Sequence, residues 1–437
     1  MRVTPSNDIA DGEVTSLQLY TYTQCTHNQG NDVQGATLGW IEMKECEYNG
    51  VTCWEANVVP GYGITKLQAN GTDERELSAT ITPEAGNFYN IKLNNDKGYT
   101  DDGNGNYTVT TADGLKAVAD IANSGSLDIN ITLDKDITLT GEWTPIGSDN
   151  WHQYTGTFDG GNHTITGLTV TTSDQYAGLF GYLSGTVKDV TLKDVKIESN
   201  NGMSAVGGVA GCSYGNIENC SVSGSVSVSG TNSIAGGVVG YQLVGSITGC
   251  SSSAIVKGVA YAGGIAGYTN GGASLTGCYA TGSVSVENNT TSAAYAGGVV
   301  GNNGSSSTLK ACYAWGSVTG SGSGTVYVGG VTGSNDLGTL TACYHAKGTV
   351  SGPDRATGGV AGRNYKSYND PVITACYWGG NGQTQGIGED QVGTGGTTQV
   401  TDGNWLDAIA QMNAALQSAG SEWQYELTGA LPTLKEQ

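Results

Sequence analysis

One phrase recurs through residues 178–380: a glycine doublet, an aliphatic, a small residue and a third glycine, followed 9 to 14 residues later by a cysteine. It runs Gly207-Gly208-Val209-Ala210-Gly211, ends again at Gly240, Gly267, Gly301, Gly333 and Gly362, and has a variant first copy at Gly178 to Gly181. The cysteines are Cys220, Cys250, Cys278, Cys312, Cys343 and Cys376, and Val190 holds their slot in the first copy. Seven copies of one unit constrain the fold more than any other feature, because a short repeat buries its apolar face only against its neighbours. Short Val/Ile runs broken by Gly and Ser read as strands and tight turns rather than helices. The expectation is an all-β chain: a parallel β-solenoid (β-helix) of about 30-residue coils, each giving about three strands that pair in parallel with those of the next coil.

Three residues before each cysteine stands an aliphatic: Val187, Ile217, Ile247, Leu275, Leu309, Leu340 and Ile373. A separation of three breaks strand alternation, so both positions face inward only if a corner lies between them. The residue before the cysteine is Asp, Asn, Gly or Ala, small enough for that corner. The third residue of the motif (Leu179, Val209, Val238, Ile265, Val299, Val331, Val360) makes a second inward ladder. Each such aliphatic contributes roughly 1.5 to 3 kcal/mol when fully buried. The cysteine then faces in as a small hydrophobe with a free thiol, since parallel-ladder neighbours keep Cβ atoms beyond the ~3.5 to 4.5 Å of a disulfide. The tyrosine after it faces out. Tyr279, Tyr313, Tyr344 and Tyr377 should stand one above another, with Trp315 and Trp378 near the same edge. This exposed aromatic ladder is the candidate ligand-binding site; the alternative is a ring stack that only braces neighbouring coils.

Around the repeats the pattern changes. Residues 1–98 do not repeat and read as a small β-sandwich-like domain with three cysteines, Cys25, Cys46 and Cys53, whose pairing is not legible. Residues 99–107 read as a linker, 108–177 as the solenoid lead-in and N-terminal cap, 178–380 as the seven repeats and 381–437 as a C-terminal cap. A short capping helix is expected with Leu115, Val118, Ala119 and Ala122 on one face, and a second with Trp405, Ile409, Met412 and Leu416.

Charge and motifs exclude several function classes. The formal net charge is -21, with 27 acids against 11 bases in residues 1–200 and only 5 against 6 in residues 201–380. An acidic chain without a basic stripe does not suit nucleic acid. No run of eighteen apolar residues suggests a membrane span, and no signal peptide or lipidated N-terminal cysteine is legible. The four histidines, His27, His152, His163 and His345, contain no HExxH pair, and no GxSxG elbow occurs. The acids of the repeats (Glu218, Glu287, Asp336, Asp354, Asp370) fall at scattered repeat positions, so no catalytic pair, metal site or cofactor is expected. Asp102, Asn104, Asn106 and Asp113 match part of a calcium loop, but Tyr107 stands where that loop needs glycine, which favours a solvated connection.

The "GGVVG", "ACY" and "GSV" phrases, the "TFDGGNHTITGL" lead-in and the "NWLDAIAQMNAAL" ending resemble GLUG-motif proteins, a group of bacterial surface proteins, over residues 108–434. "SATITPEAGNFYNIKLNN" more faintly resembles the end of a fimbrillin-like domain of Gram-negative pilus proteins. The resemblance implies a secreted, extracellular protein of the bacterial cell surface, expected to be outer-membrane associated; GLUG repeats also occur in some secreted immunoglobulin A peptidases, and it is the missing HExxH pair and the scattered acids that lead to the expectation of no enzyme. The expected function is an adhesin or pilus-associated protein that binds a glycan or a protein on a host or neighbouring cell, or other surface subunits. A structural stalk or filament subunit is the alternative, and a divergent β-helix carbohydrate-active enzyme a third.

Overall fold

Strand-forming runs of three to five residues cannot bury themselves alone, and the structure, a computed structural model, shows them stacked coil on coil. It describes residues 1–5, 15–71, 73–93, 97–367, 370–393 and 395–437. They form two compact units, Met1–Lys97 and Gly98–Gln437.

In the first unit, two four-stranded sheets share one core of Met1, Val3, Leu17, Leu19, Trp54, Ile64, Leu67 and Ile91. The strand Leu17–Gln24 alternates buried and half-buried residues over its first six positions, the signature of a sheet with one wet face. Cys46 lies directly opposite Cys53 on the hairpin closed by Asn49-Gly50, their sulfurs 2.7 Å apart. The last two residues of the fimbrillin-like stretch, Asn94 and Asn95, lie outside the described residues.

The second unit is the expected solenoid, with one revision. Among the described residues its coils feed four long sheets of eleven, fifteen, seven and eight strands, so each coil contributes four strands, or five where its run in the fifteen-stranded sheet is split in two, and not the three expected. The extra strand arises because the glycine motif does not lie within a strand but divides two. In one coil, Ala294–Gly297 and Val300–Asn303 are separate strands that fold sharply against each other. A Cβ on Gly297 would lie 1.9 Å from the Val300 carbonyl oxygen, and one on Gly301 only 2.4 Å from that of Gly267, so backbone meets backbone where no side chain fits. The corner is re-entrant: the outer faces of the seven- and eight-stranded sheets turn towards each other, while Val299 at the apex points into the core.

The inward ladders are continuous. Val187, Ile217, Ile247, Leu275, Leu309, Leu340 and Ile373 pair in register from coil to coil, and the motif aliphatics from Leu179 to Val360 are fully buried. At every corner before the cysteine slot the backbone is left-handed, from Asp189 (φ 54°) through Ala311 (52°) to Ala375 (49°). That turn leaves a carbonyl facing the core, and the thiol approaches it: Cys312 Sγ lies 3.3 Å from the Lys310 carbonyl oxygen and Cys343 Sγ 3.4 Å from that of Thr341. The cysteine is thus a small hydrophobe carrying the weak donor this corner needs. A second inner column is polar. Thr269, Asn303, Asn335 and Asn364 bond along the axis, Asn303 Nδ2 donating to Asn335 Oδ1 at 2.8 Å and Asn335 Nδ2 to Asn364 Oδ1 at 3.2 Å.

All seven solenoid cysteines, including Cys212, are buried free thiols, and burial pushes Cys250, Cys278 and Cys343 well above the ordinary thiol value. Under reducing conditions the folded chain should therefore yield no solenoid label to a disulfide reagent such as DTNB, with Cys25 labelling first, Cys46 slowed by the neighbouring Cys53 thiol that pushes it up to about 11, and all ten thiols labelling only in denaturant. Rapid native labelling of more than three thiols would contradict this packing.

At the start, Tyr99–Asp101 and Asn106–Val109 form a hairpin whose second strand pairs with Asn130–Leu133 in the eleven-stranded sheet. Residues 99–107, expected as a linker, are therefore the first hairpin of the solenoid. The carboxylate of Asp102 is spent on its own loop, accepting from the amides of Asn104 (2.8 Å) and Asn106 (3.2 Å). Helix α1 (Ala112–Asn123), capped by Thr111 Oγ1, seals the core with Leu115, Val118, Ala119 and Ala122.

Candidate functional site

The cysteine-flanking tyrosines do form a column. Tyr279, Tyr313, Tyr344 and Tyr377 pair in register, with centroids 5.1 Å apart for Tyr279–Tyr313 and for Tyr313–Tyr344. The column faces away from the thiols, as the alternation required. It is nevertheless not the open surface that sequence suggested. Helix α2 (Leu406–Ser418) and the hairpin of Trp423–Leu427 with Pro432–Glu436 lie over it, packing Trp405, Met412, Leu416 and Tyr425 against Tyr313, Tyr344 and Tyr377. Tyr344 is fully buried and only Tyr279, at the margin, keeps 36% exposure. The C-terminal segment was expected as an end cap; its apolar helix face covers this flank instead. Trp315 is half-buried and donates from Nε1 to the Tyr344 hydroxyl at 2.9 Å. Trp378, adjacent to the outward Tyr377, points by alternation into the core. The proposed ladder Tyr279, Tyr313, Trp315, Tyr344, Tyr377, Trp378 thus lacks the exposure on which a binding role rested.

A second set of aromatics, unremarked in the sequence, lines the re-entrant corner. Tyrosines occupy two motif positions: two residues before the doublet (Tyr176, Tyr261, Tyr295, Tyr327) and directly after the third glycine (Tyr182, Tyr241, Tyr268). The glycines bring the two sheets together at the apex, and the rings fill the widening mouth. Tyr241 stacks on Tyr268 at 4.9 Å, Tyr268 on Tyr261 at 5.2 Å, Tyr261 on Tyr295 at 5.2 Å and Tyr295 on Tyr327 at 5.5 Å, with interplanar angles of 12° to 14°. Tyr241, Tyr261 and Tyr268 are half-buried. At the far end Arg363 lies over Tyr327 and Tyr365, 4.8 and 4.4 Å from their centroids, and bonds Asp336 at 2.9 Å. Because the rings lie face to face along the axis, solvent meets their edges and hydroxyls. Burial holds those hydroxyls protonated, raising Tyr261 and pushing Tyr295 up to about 12, so the strip is a row of neutral donors.

The histidines show what else the solenoid holds. His152 pairs with Asp149 (3.0 Å) and His163 with Asp136 (3.2 Å), whereas His345 is a core residue: Nε2 donates to the Gly316 carbonyl at 2.9 Å and Nδ1 accepts from Asn381 Nδ2 at 3.1 Å. Burial lowers its pKa to about 4. The unfolded chain binds this proton first, so stability should fall as pH drops from about 6.5 to about 4 and stay level above, a loss of roughly 3 kcal/mol. Denaturant melts of the wild type and His345→Gln across that range check it; parallel pH profiles would refute the assignment.

The profile of the GLUG motif matches residues 202–227, a glycine corner with the strands that follow it. This chain is a β-solenoid that carries the GLUG motif. The GLUG solenoid is 28% identical over 242 residues to halomucin of Haloquadratum walsbyi, an alignment covering 51% of this chain and 2% of halomucin. It is 32% identical over 126 residues to a candidate Gly-rich membrane protein of Evansella cellulosilytica, covering 26% of this chain and 14% of that one. The chain thus spans a small part of the curated relatives it matches. Among solved structures, a candidate immunoglobulin A1 protease from Bacteroides ovatus aligns with TM-score 0.47 and 19% identity over 75% of this chain and 92% of that one. A structure described as IgA1 protease aligns with TM-score 0.44 and 16% identity over 92% of this chain and 29% of that one. Among the described residues, no helix is long and apolar enough to cross a membrane.

Proposed function

We propose that the GLUG solenoid is a secreted or cell-surface adhesin that binds glycan through the tyrosine-lined corner. The observation that carries this reading is the run Tyr241, Tyr268, Tyr261, Tyr295, Tyr327, stacked along four successive coils of a rigid face, its first three rings half-buried and its last two buried. A row of phenol edges at the strand spacing suits a polyhydroxylated chain laid along the axis, each sugar meeting a donor-acceptor hydroxyl. The GLUG motif and the likeness to halomucin support a place outside the cell.

The test is retention of the full chain on a glycan array, wild type against the triple variant Tyr241→Phe, Tyr261→Phe, Tyr268→Phe. These changes keep the stack and remove the hydroxyls. Binding should drop severalfold with an unaltered melting profile. A stalk or filament is the second reading, favoured by one fact: the ring faces are spent on each other. Equal retention of both proteins, or fibres from a wild type that retains nothing, would favour the stalk.

A further inference from the structure

We infer that the loop at residues 147–153 is a second glycan subsite, with Trp151 as a stacking platform for a neutral pyranose ring. This rests on the adhesin reading and supplies what the tyrosine strip lacks, an aromatic face open to ligand.

The chain has eight tryptophans, and Trp151 is the one that the described structure leaves exposed, at 85%. A single exposed apolar side chain needs no explanation by itself. The loop that presents it does. Asp149 Oδ1 accepts from the Trp151 amide at 2.8 Å, the His152 amide at 3.1 Å and the His152 ring at 3.0 Å, while Oδ2 accepts from Ser148 Oγ at 3.0 Å. The backbone closes on itself, with Ser148 N to His152 O at 3.0 Å and His152 N to Asp149 O at 3.1 Å. Gln153 bonds Ser184 Oγ and the Asn150 carbonyl. Tyr154 follows as a fully buried anchor, its hydroxyl on the Ile129 carbonyl at 2.9 Å and its ring 4.9 Å from Phe180. One carboxylate therefore fixes the loop in a single shape, and the residue at its tip is a wet indole. Holding an apolar side chain in water on a preorganised loop has no stabilising purpose, but it lowers the ordering cost of binding.

Position joins the loop to the tyrosine strip. It leaves and rejoins the coil beside Tyr182, where the Tyr182 amide donates to Gly147 O and the Tyr154 amide to Tyr182 O, both at 3.0 Å. Tyr182 is the first ring of the corner, in edge contact with Tyr176 and stacked on Tyr214, itself 40% exposed. A glycan lying along the strip would meet the indole at its end. The chemistry selects a neutral sugar: residues 98–200, in the same unit as the loop, carry 14 acids against 5 bases, so sulfated or carboxylated glycans meet repulsion, whereas the C–H face of a hexopyranose fits an indole face.

The experiment uses the full chain in affinity gels containing soluble neutral glucan, soluble mannan or chondroitin sulfate, with wild type, Trp151→Ala and Trp151→Tyr. Retention by a neutral polymer should fall about tenfold or more in Trp151→Ala, recover in part in Trp151→Tyr, and leave thermal melting unchanged. Indole fluorescence should shift with neutral polymer in the wild type and not in Trp151→Ala. Undiminished retention by Trp151→Ala overturns the subsite while leaving the adhesin reading intact. Preference for chondroitin sulfate overturns the choice of a neutral ligand. A wild type retained by no glycan defeats the adhesin reading and the subsite together.

Discussion

Gly297→Ala should cost ~3 kcal/mol or more, a large penalty for one methyl group, because the new Cβ would collide with backbone that cannot move aside. The nearest atoms are the Val300 carbonyl oxygen at 1.9 Å and the Gly333 amide nitrogen at 2.7 Å, the second belonging to the next coil. The backbone around them is bound into parallel ladders: the Gly298 amide donates to Gly329 O at 3.2 Å and the Val300 amide to Val331 O at 3.1 Å. Relief requires opening the corner, which separates two coils. In a solenoid each coil is held by its two neighbours, so the loss should appear as a split unfolding transition rather than a uniform shift. Ser285→Ala, at a half-buried outer position on the same solenoid, should stay within about 0.5 kcal/mol. Guanidinium unfolding followed by tryptophan fluorescence, with limited proteolysis to find the opened coil, measures both. A Gly297→Ala protein as stable as Ser285→Ala would mean that the corner is not re-entrant.

That corner also marks where sequence reading stops. The ladders were legible because Val187 through Ile373 and Leu179 through Val360 repeat at fixed offsets, and burial of an aliphatic is decided by its own coil and the next. The left-handed turn before each cysteine was legible as a need for a small residue. The re-entrant fold was not: Gly-Gly-x-x-Gly states that side chains are forbidden, without saying whether a ligand, a turn or another strand takes the space. For the same reason the corner tyrosines went unread. They flank the glycines at constant distance, a visible signal, but the conspicuous Cys-Tyr pair drew the binding assignment to the other face. There the local prediction held, since Tyr313 and Tyr344 do point away from the thiols, and the global one failed. Periodicity describes one coil against its neighbour and carries nothing about a segment sixty to a hundred residues downstream that folds back over the face. The asparagine column was missed because Asn between strands reads as a turn former, whereas Asn303, Asn335 and Asn364 satisfy one another only once stacked.

Tyr344→Ala should release that downstream segment. The ring is fully buried between Tyr313, Trp405 at 4.9 Å and Tyr425 at 5.6 Å, and its hydroxyl accepts from Trp315 Nε1 at 2.9 Å while donating to the Pro432 carbonyl. Truncating a large core aromatic costs about 3 to 5 kcal/mol, and the indole N–H and the carbonyl left behind lose their partner as well. What remains to hold α2 and the hairpin is modest: Tyr425 Oη on the Ala342 carbonyl at 2.8 Å, Lys310 Nζ on that of Ala419 at 3.0 Å, and the packing of Met412 and Leu416. The segment should therefore detach while the ladders below stay paired, giving a low-temperature transition separate from solenoid melting and protease cleavage within residues 401–404, just past Thr397–Gln399, the last strand paired in the ladders. Trp405 and Trp423 would become wet, with a red shift in emission. Tyr344→Phe keeps the ring and should lose only about 1 to 2 kcal/mol. Tyr279→Ala, at the uncovered end of the same column, should cost less than Tyr344→Ala and leave the segment docked. Equal losses for Tyr279→Ala and Tyr344→Ala would show that the column braces coils uniformly and that the C-terminal segment does not depend on it.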